Sequence, residues 1–190
     1  KNSNIIFLSS QAVYGKVSTS KISERNYVAP ISSYGKTKLL AEKELKKIKN
    51  NYVIILRLFS IYGIGLKKQI IWDACKNFKL KKPIFRGTGL EKRDFLNIKD
   101  FTRLISIIIK TKNEKYSIYN VGSGSGTLIL KLLIKIKKEL KNKKKIVFTG
   151  KSNKAEKQNF ISSNTKVQKY FNWKPKIKMS KEIQKYTNWF

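Results

Sequence analysis

Two textures of apolar and polar positions alternate along this chain. Asn4 to Ser10 reads NIIFLSS and Asn51 to Phe59 reads NYVIILRLF, apolar runs rich in β-branched residues with no polar face. Runs of that kind predict strands covered on both sides, as in a parallel sheet flanked by helices. Between them, Ser32 to Asn50 sets Ala41, Leu45 and Ile48 at helical spacing among Lys and Glu, which predicts an amphipathic helix. Strand, helix, strand is one crossover of a doubly wound α/β sheet.

Beyond Tyr62-Gly63-Ile64-Gly65, Lys67 to Leu80 carries Ile70, Ala74 and Phe78 four apart, a second amphipathic helix. Pro83 to Arg86 reads as a short extended piece before the Gly87-Thr88-Gly89 turn, and Asp94 to Ile98 as a strand. Asp100 stands where a helix N-cap is wanted, ahead of a helix from Phe101 to Lys110. Tyr116 to Val121 predicts another strand, Gly122 to Gly126 a turn, Thr127 to about Leu140 an apolar helix, and Lys145 to Thr149 a last strand. The remaining stretch is polar, with a helix over Ser180 to Trp189. Repeats are absent, and so is low-complexity sequence beyond a bias to Lys.

That bias gives the 190 residues a formal net charge of +32, from 43 Lys and Arg against 11 Asp and Glu. A nucleic-acid or polyanion binder is one reading of such a charge. The kind of charge argues otherwise, because 38 of the cations are Lys and only 5 are Arg, and the Lys are spread evenly along the chain. Base and phosphate readers lean on the bidentate guanidinium. Lys, Ile (25) and Asn (15) share A- and T-rich codons, so compositional bias explains the excess and no specific nucleic acid is expected. With no His and the single Cys75, neither a zinc site nor an internal disulfide is possible. No apolar run reaches the 18 or so residues that cross a bilayer, so no membrane partner is expected.

The most informative spacing is Tyr34-Gly35-Lys36-Thr37-Lys38, since a Tyr and a Lys four apart on a helix share a face. An ammonium beside a phenol favours the phenolate and makes the pair a candidate for exchanging protons with a substrate hydroxyl. Alone the spacing is weak in a chain with 9 Tyr and so many Lys. It gains weight from Ser9 and Ser10 at the end of the first strand, because open α/β sheets bind ligands at the carboxyl ends of their strands.

Taken in order, SSQAVYG, SSYGKTKLLAE, RLFSIYGIG, KRDFLNIKDF, YNVGSGSG and FNWKPKIKMSKEIQKYTNWF cover nearly the whole chain. In these segments the sequence resembles the extended short-chain dehydrogenase/reductases, specifically the NAD-dependent nucleotide-sugar epimerases and dehydratases. The resemblance implies an α/β fold: the C-terminal part of a Rossmann-type doubly wound parallel sheet plus a smaller α/β substrate-binding domain. Residues 1–62 would be the remainder of the NAD-binding domain. Residues 63–190 would be mainly the sugar-nucleotide domain, with some elements returning to the Rossmann sheet.

By that resemblance Tyr34 is the catalytic acid/base, Lys38 binds the nicotinamide ribose, and Ser10 binds the sugar hydroxyl and helps pass its proton. Ser9 and Phe59 join Tyr34 and Lys38 on the cofactor side. Ser60 and Arg93 join Ser10 on the substrate side, Arg93 pairing with the diphosphate. The implied cofactor is NAD, with NADP the alternative, and the implied partner is a nucleotide sugar. Oxidation at C4 to a 4-keto sugar and return of the hydride to the other face make an epimerase. A 4-keto-sugar reductase or dehydratase of the same family is the second reading, and a non-catalytic polyanion or nucleic-acid binder on this fold is the rival of another class.

Departures choose among the branches. Dehydratases of this kind place an acidic pair where Gln11 and Ala12 stand, and keto-sugar epimerase/reductases use a Cys and a His, of which this chain has no His. Gly122-Ser-Gly-Ser-Gly126 lacks the glycine offsets of a dinucleotide loop and reads as a structural turn. The Gly-rich first turn of the family is missing before Asn4, so the chain is expected to be an N-terminally incomplete enzyme that alone neither holds NAD tightly nor turns over. A cytoplasmic enzyme of surface-polysaccharide synthesis, homodimeric at full length through the helix carrying Tyr34, completes the expectation.

Overall fold

The computed structural model describes residues 3–17, 19, 21–111, 114–150 and 160–190. Strand β1 (Asn4–Ser10), helix α1 (Ser33–Lys46) and strand β2 (Tyr52–Leu58) form the crossover predicted from the pattern. β1 and β2 pair in parallel, Asn4 against Tyr52 through Ser10 against Leu58. The third member of this sheet is β6 (Tyr116–Val121), also parallel to β2, so the order is β1-β2-β6. A strand from the second half of the sequence therefore sits in the first sheet. The central strand, β2, buries Val53 through Leu56 almost completely. The edge strand β1 is less covered, with Leu8 42% exposed.

A second sheet has the order β3-β5-β7, built from β3 (Ser60–Tyr62), β5 (Lys92–Asn97) and β7 (Gly126–Leu128). β4 (Ile84–Phe85) and β8 (Val147–Phe148) make a two-stranded parallel pair. Helices α2 (Gln69–Lys79), α4 (Ile129–Glu139) and α6 (Met179–Trp189) pack around one core of Ile71, Cys75, Phe78, Leu132, Leu133, Ile136, Ile183 and Tyr186. Helix α3 (Ile98–Lys110) and α5 (Thr165–Phe171) close the other over the first sheet, where Ile54, Leu56, Leu104, Tyr119, Val167 and Trp173 meet. Each fully buried Ile, Leu or Phe here contributes about 1.5–3 kcal/mol relative to exposure.

Three expectations change. Ala41 and Leu45 are only half-buried and Ile48 lies beyond α1, exposed; the buried side of α1 is Gly35 and Glu42. That helix docks through a polar contact, not through an apolar stripe. Asp100 is no N-cap: Asn97 caps α3, its side chain accepting from Lys99 N–H at 2.9 Å. Asp100 is buried in the first turn instead, where its carboxylate accepts from the backbone N–H of Lys176 and Ile177 and from Arg103. Trp173 Nε1 donates to the Asp100 carbonyl at 3.1 Å, so the Asn172-Trp173-Lys174-Pro175 segment is pinned to α3. Finally, β3, β7 and α5 were not legible as elements, and the apolar stretch after Gly126 begins as strand before it becomes α4.

Candidate active site

Ser10 ends β1 in extended geometry and caps a short 3₁₀ turn, Gln11–Val13, its Oγ accepting from Ala12 N–H at 3.2 Å. The turn carries no acidic residue. Tyr34 begins α1 next to it. Ser32 caps that helix by accepting from Gly35 N–H at 3.1 Å. Gly35 is required for closeness: a Cβ there would sit 2.5 Å from the Ala12 carbonyl oxygen and 2.9 Å from Pro30 Cβ. The absence of a side chain lets the Tyr34 turn lie directly against the Ser10 turn. Gly15, at φ +66°, serves the same junction, since a Cβ there would clash with the Ala29 carbonyl.

Tyr34 is 58% exposed, so its phenol faces outward at the carboxyl edge of the sheet. One turn on, Lys38 Nζ lies 5.8 Å from the centroid of the Tyr34 ring and 4.9 Å from that of Phe7. It donates to the Leu8 carbonyl at 2.9 Å. This bond ties the catalytic-looking stripe of α1 to β1, two residues before Ser10.

Beneath this face lies a buried polar network. Glu42 and Arg57 form a fork, Arg57 Nη2 donating to Oε2 at 2.6 Å and Nε to Oε1 at 3.0 Å. Arg57 Nη1 donates to the Tyr14 hydroxyl at 3.1 Å, and that hydroxyl donates to Asn120 Oδ1 at 2.7 Å. Burial works against the Arg57 charge, but its bonds to Glu42 and Tyr14 overcome this and hold its pKa above the ordinary value. Burial pushes the Tyr14 phenol up despite the neighbouring guanidinium. Ser9 completes the set, its hydroxyl donating to Glu42. Ser9 is buried, with its Oγ turned inward to Glu42 and away from the surface where Tyr34 is exposed. Phe59 is likewise enclosed, packed with Val13, Tyr14, Ile22 and Phe160.

Ser60 and Arg93 are brought together elsewhere, in a cleft of about 400 Å³ between α2, β4 and β5. Ile70, Ala74, Phe85, Ile129 and Leu133 give it an apolar wall, and Gln69, Asp73, Asn77, Arg86 and Glu91 give it polar groups. Arg93 lies against the Phe160 ring, 5.6 Å from its centroid. Glu91 is held in place: Thr88 donates to it from N–H at 2.9 Å and from Oγ1 at 3.0 Å. Burial alone would raise its carboxyl pKa, and these hydrogen bonds reverse that and hold it below the usual range. Gln69 takes a left-handed φ of 67° at the head of α2, a conformation that costs a non-glycine residue energy. Ser10, Tyr34 and Lys38 do not line this cleft.

Next to Arg93, Asp94 is a structural hub. Its carboxylate accepts from Ser123 N–H and Oγ, Gly124 N–H, and Ser162 N–H and Oγ. This is what the Gly122–Gly126 turn does in the fold: it wraps an aspartate, as a structural turn and not a phosphate loop. Neither Asp94 nor the Glu42–Arg57 pair stood out in the sequence, and the cleft residues of α2 gave no signal beyond lying on an amphipathic helix.

The chain is 30% identical to a putative UDP-glucose 4-epimerase of Methanocaldococcus jannaschii over 97% of its own length and 62% of that relative's. A second protein of that organism, uncharacterised, is 29% identical over 98% of this chain and 58% of its own. The chain thus spans roughly three-fifths of these curated relatives. Among solved structures, the UDP-glucuronic acid 4-epimerase of Bacillus cereus, in complex with UDP-glucuronic acid and NAD, superposes with a TM-score of 0.89 at 24% identity, covering 100% of this chain and 62% of that one. The UDP-glucose 4-epimerase of Thermotoga maritima gives 0.86 at 22%, over 97% and 62%. At such identities the likeness speaks for the fold, a Rossmann-type α/β architecture. Residues 1–122 match the NAD dependent epimerase/dehydratase family, and the chain belongs to that family.

Proposed function

We propose that this chain is the catalytic and substrate-binding part of an NAD-dependent nucleotide-sugar 4-epimerase. The observation that carries the reading is the stripe Tyr34–Lys38 at the carboxyl edge of the parallel sheet, anchored on Leu8 beside Ser10. Tyr34 takes the proton of the sugar 4-hydroxyl as the C4 hydrogen leaves, and returns it when C4 is reduced from the other face. Ser10, at the mouth of the same turn, hydrogen-bonds that hydroxyl.

The residues present fit the nicotinamide end of the cofactor and only that end. An exposed Tyr and an ammonium one turn apart offer hydrogen-bond partners to a ribose. The 3₁₀ turn after β1, Gln11–Val13, has no glycine that would bring backbone N–H groups against a pyrophosphate. NAD, when bound, supplies the hydride acceptor. Lys38, one turn on beside the Tyr34 ring, would hold the ribose.

Arg93 and Ser60 belong to the nucleotide side, the guanidinium meeting the diphosphate. The apolar wall of the cleft suits the flat face of a base, and structural relatives are complexed with UDP-glucuronic acid and with UDP-glucose. Dehydration is disfavoured because the turn after Ser10 offers no acid to eliminate water. A homodimer through α1 is part of the same proposal, supported by the exposure of Leu40 on it and of Ile48 just beyond its end. So are a cytoplasmic location and a place in surface-polysaccharide synthesis, which rest on the resemblance and the substrate class.

Incubating the full-length protein with a UDP-sugar and NAD, followed by NMR of the anomeric protons, tests the reading. Redox-neutral interconversion of C4 epimers supports it. Net consumption of NADPH with a keto sugar makes the protein a reductase, and neither reaction removes the assignment.

A further inference from the structure

Four segments far apart in the sequence send one polar side chain each into the same buried place. Glu42 comes from α1, Arg57 from β2, Tyr14 from the loop after β1 and Asn120 from β6, with Ser9 of β1 as the fifth member. All five are at most 4% exposed. Burying an ion pair is costly and seldom stabilises more than apolar packing of the same volume would. Its advantage lies in geometry, because a forked guanidinium–carboxylate contact fixes both partners in distance and angle.

The geometry acts on the reacting groups. Glu42 stands four residues after Lys38 and eight after Tyr34, so the three form one stripe along α1. Its carboxylate is the buried polar anchor of a helix whose apolar residues are poorly covered, and it is held by Arg57 and Ser9 together. Ser9 precedes Ser10, so the bond from Ser9 to Glu42 ties the backbone that carries Ser10 to the helix that carries Tyr34. The guanidinium in turn reaches Tyr14, and Asn120 holds Tyr14 from the far strand, its Nδ2 donating to the Ile22 carbonyl at 2.8 Å.

Resting on the epimerase reading, we infer that the Glu42–Arg57 pair is a positioning device: it sets the roll and register of α1 against β1, and thereby the spacing of Tyr34 and Lys38 from Ser10. It touches neither the nucleotide cleft nor Arg93, so it governs turnover and not substrate affinity. A misplacement of the acid/base by about 1 Å is enough to cost up to roughly a hundredfold in rate.

The test uses Glu42→Gln and Ser9→Ala in the full-length protein. Glu42→Gln keeps the shape and removes the charge. Ser9→Ala removes one hydrogen bond, leaves the ion pair whole, and decides the matter if Glu42→Gln does not fold. With UDP-glucose and NAD, kcat is expected to fall by about ten- to a hundredfold while KM for both stays within about twofold. Hydrogen exchange of the amides of residues 34–38 should quicken, with β5 as protected as before. Unchanged kcat with unchanged exchange overturns the inference, and so does a KM that rises as much as kcat falls. If the unmodified protein does not turn over, the epimerase reading fails separately, and exchange over residues 34–38 alone decides whether the pair holds α1 in register.

Discussion

Replacing Asp94 by Asn strikes the point where three separate segments are tied together. Oδ2 accepts from Gly124 N–H at 3.0 Å, Ser162 N–H at 3.0 Å and Ser162 Oγ at 2.6 Å, and Oδ1 accepts from the N–H and hydroxyl of Ser123. An Asn oxygen placed at the Oδ2 position keeps three of these as neutral bonds and turns an NH₂ group toward Ser123, whose backbone N–H loses its acceptor. Bonds to a charged acceptor are worth about 1.5–3 kcal/mol and neutral ones about 1, so three weakened bonds and one orphaned, partly wet donor cost about 3 kcal/mol. With a urea dependence of about 2 kcal/mol per molar, the unfolding midpoint should fall by about 1.5 M. Equilibrium urea unfolding followed by tryptophan fluorescence measures this. A midpoint shift below about 0.5 M would mean that water or a rearranged turn replaces the carboxylate easily, and the hub would not be holding β5 to its neighbours.

Three further outcomes follow from other parts of the structure. Arg93→Gln should weaken UDP binding by about 2 kcal/mol, roughly thirtyfold, and leave uridine binding unchanged; calorimetry with the two ligands checks it, and equal loss for both would place the guanidinium away from the phosphates. Burial pushes the Cys75 thiol up to about 11, so it should resist a thiol reagent at pH 8 in the native state and react at once in urea; rapid native labelling would contradict its place in the α2 core. The Glu91 carboxyl is held below its ordinary value of 4.5 by its hydrogen bonds from Thr88, so its contribution to stability is present above that value and lost as the pH falls below it. Glu91→Gln should therefore flatten the acid limb of a plot of unfolding free energy against pH, and an unchanged limb would remove Glu91 from the account.

What the sequence revealed divides by range. The parallel strands were legible because β1 and β2 are continuous apolar runs, and the Tyr34–Lys38 stripe because it lies within two turns of one helix. The buried side of α1 was misread, since its contact is made by Glu42 on a partner fifteen residues away, and no periodicity marks a carboxylate that will be paired. Asp94 gathers donors from 29 and 68 residues along the chain, and Asp100 from 76, so neither could be told from an ordinary surface acid or cap. β3, β7 and α5 are three to seven residues long, short enough that neighbours and not local pattern decide their conformation. The cleft between α2, β4 and β5 was half visible: Arg93 and Ser60 were named, while Gln69, Asp73 and Asn77 enter it only because α2 turns that side toward β4.

The account rests on Tyr34 as the proton-transfer group of a C4 epimerisation. Tyr34→Phe in the full-length protein removes one oxygen from a residue that is already 58% exposed and leaves α1 and its Ser32 cap intact. Turnover of UDP-glucose should fall by about 10²- to 10⁴-fold, the usual worth of a placed acid/base, with UDP-glucose affinity unchanged by calorimetry. A Tyr34→Phe protein that interconverts the epimers at the unmodified rate would contradict the account.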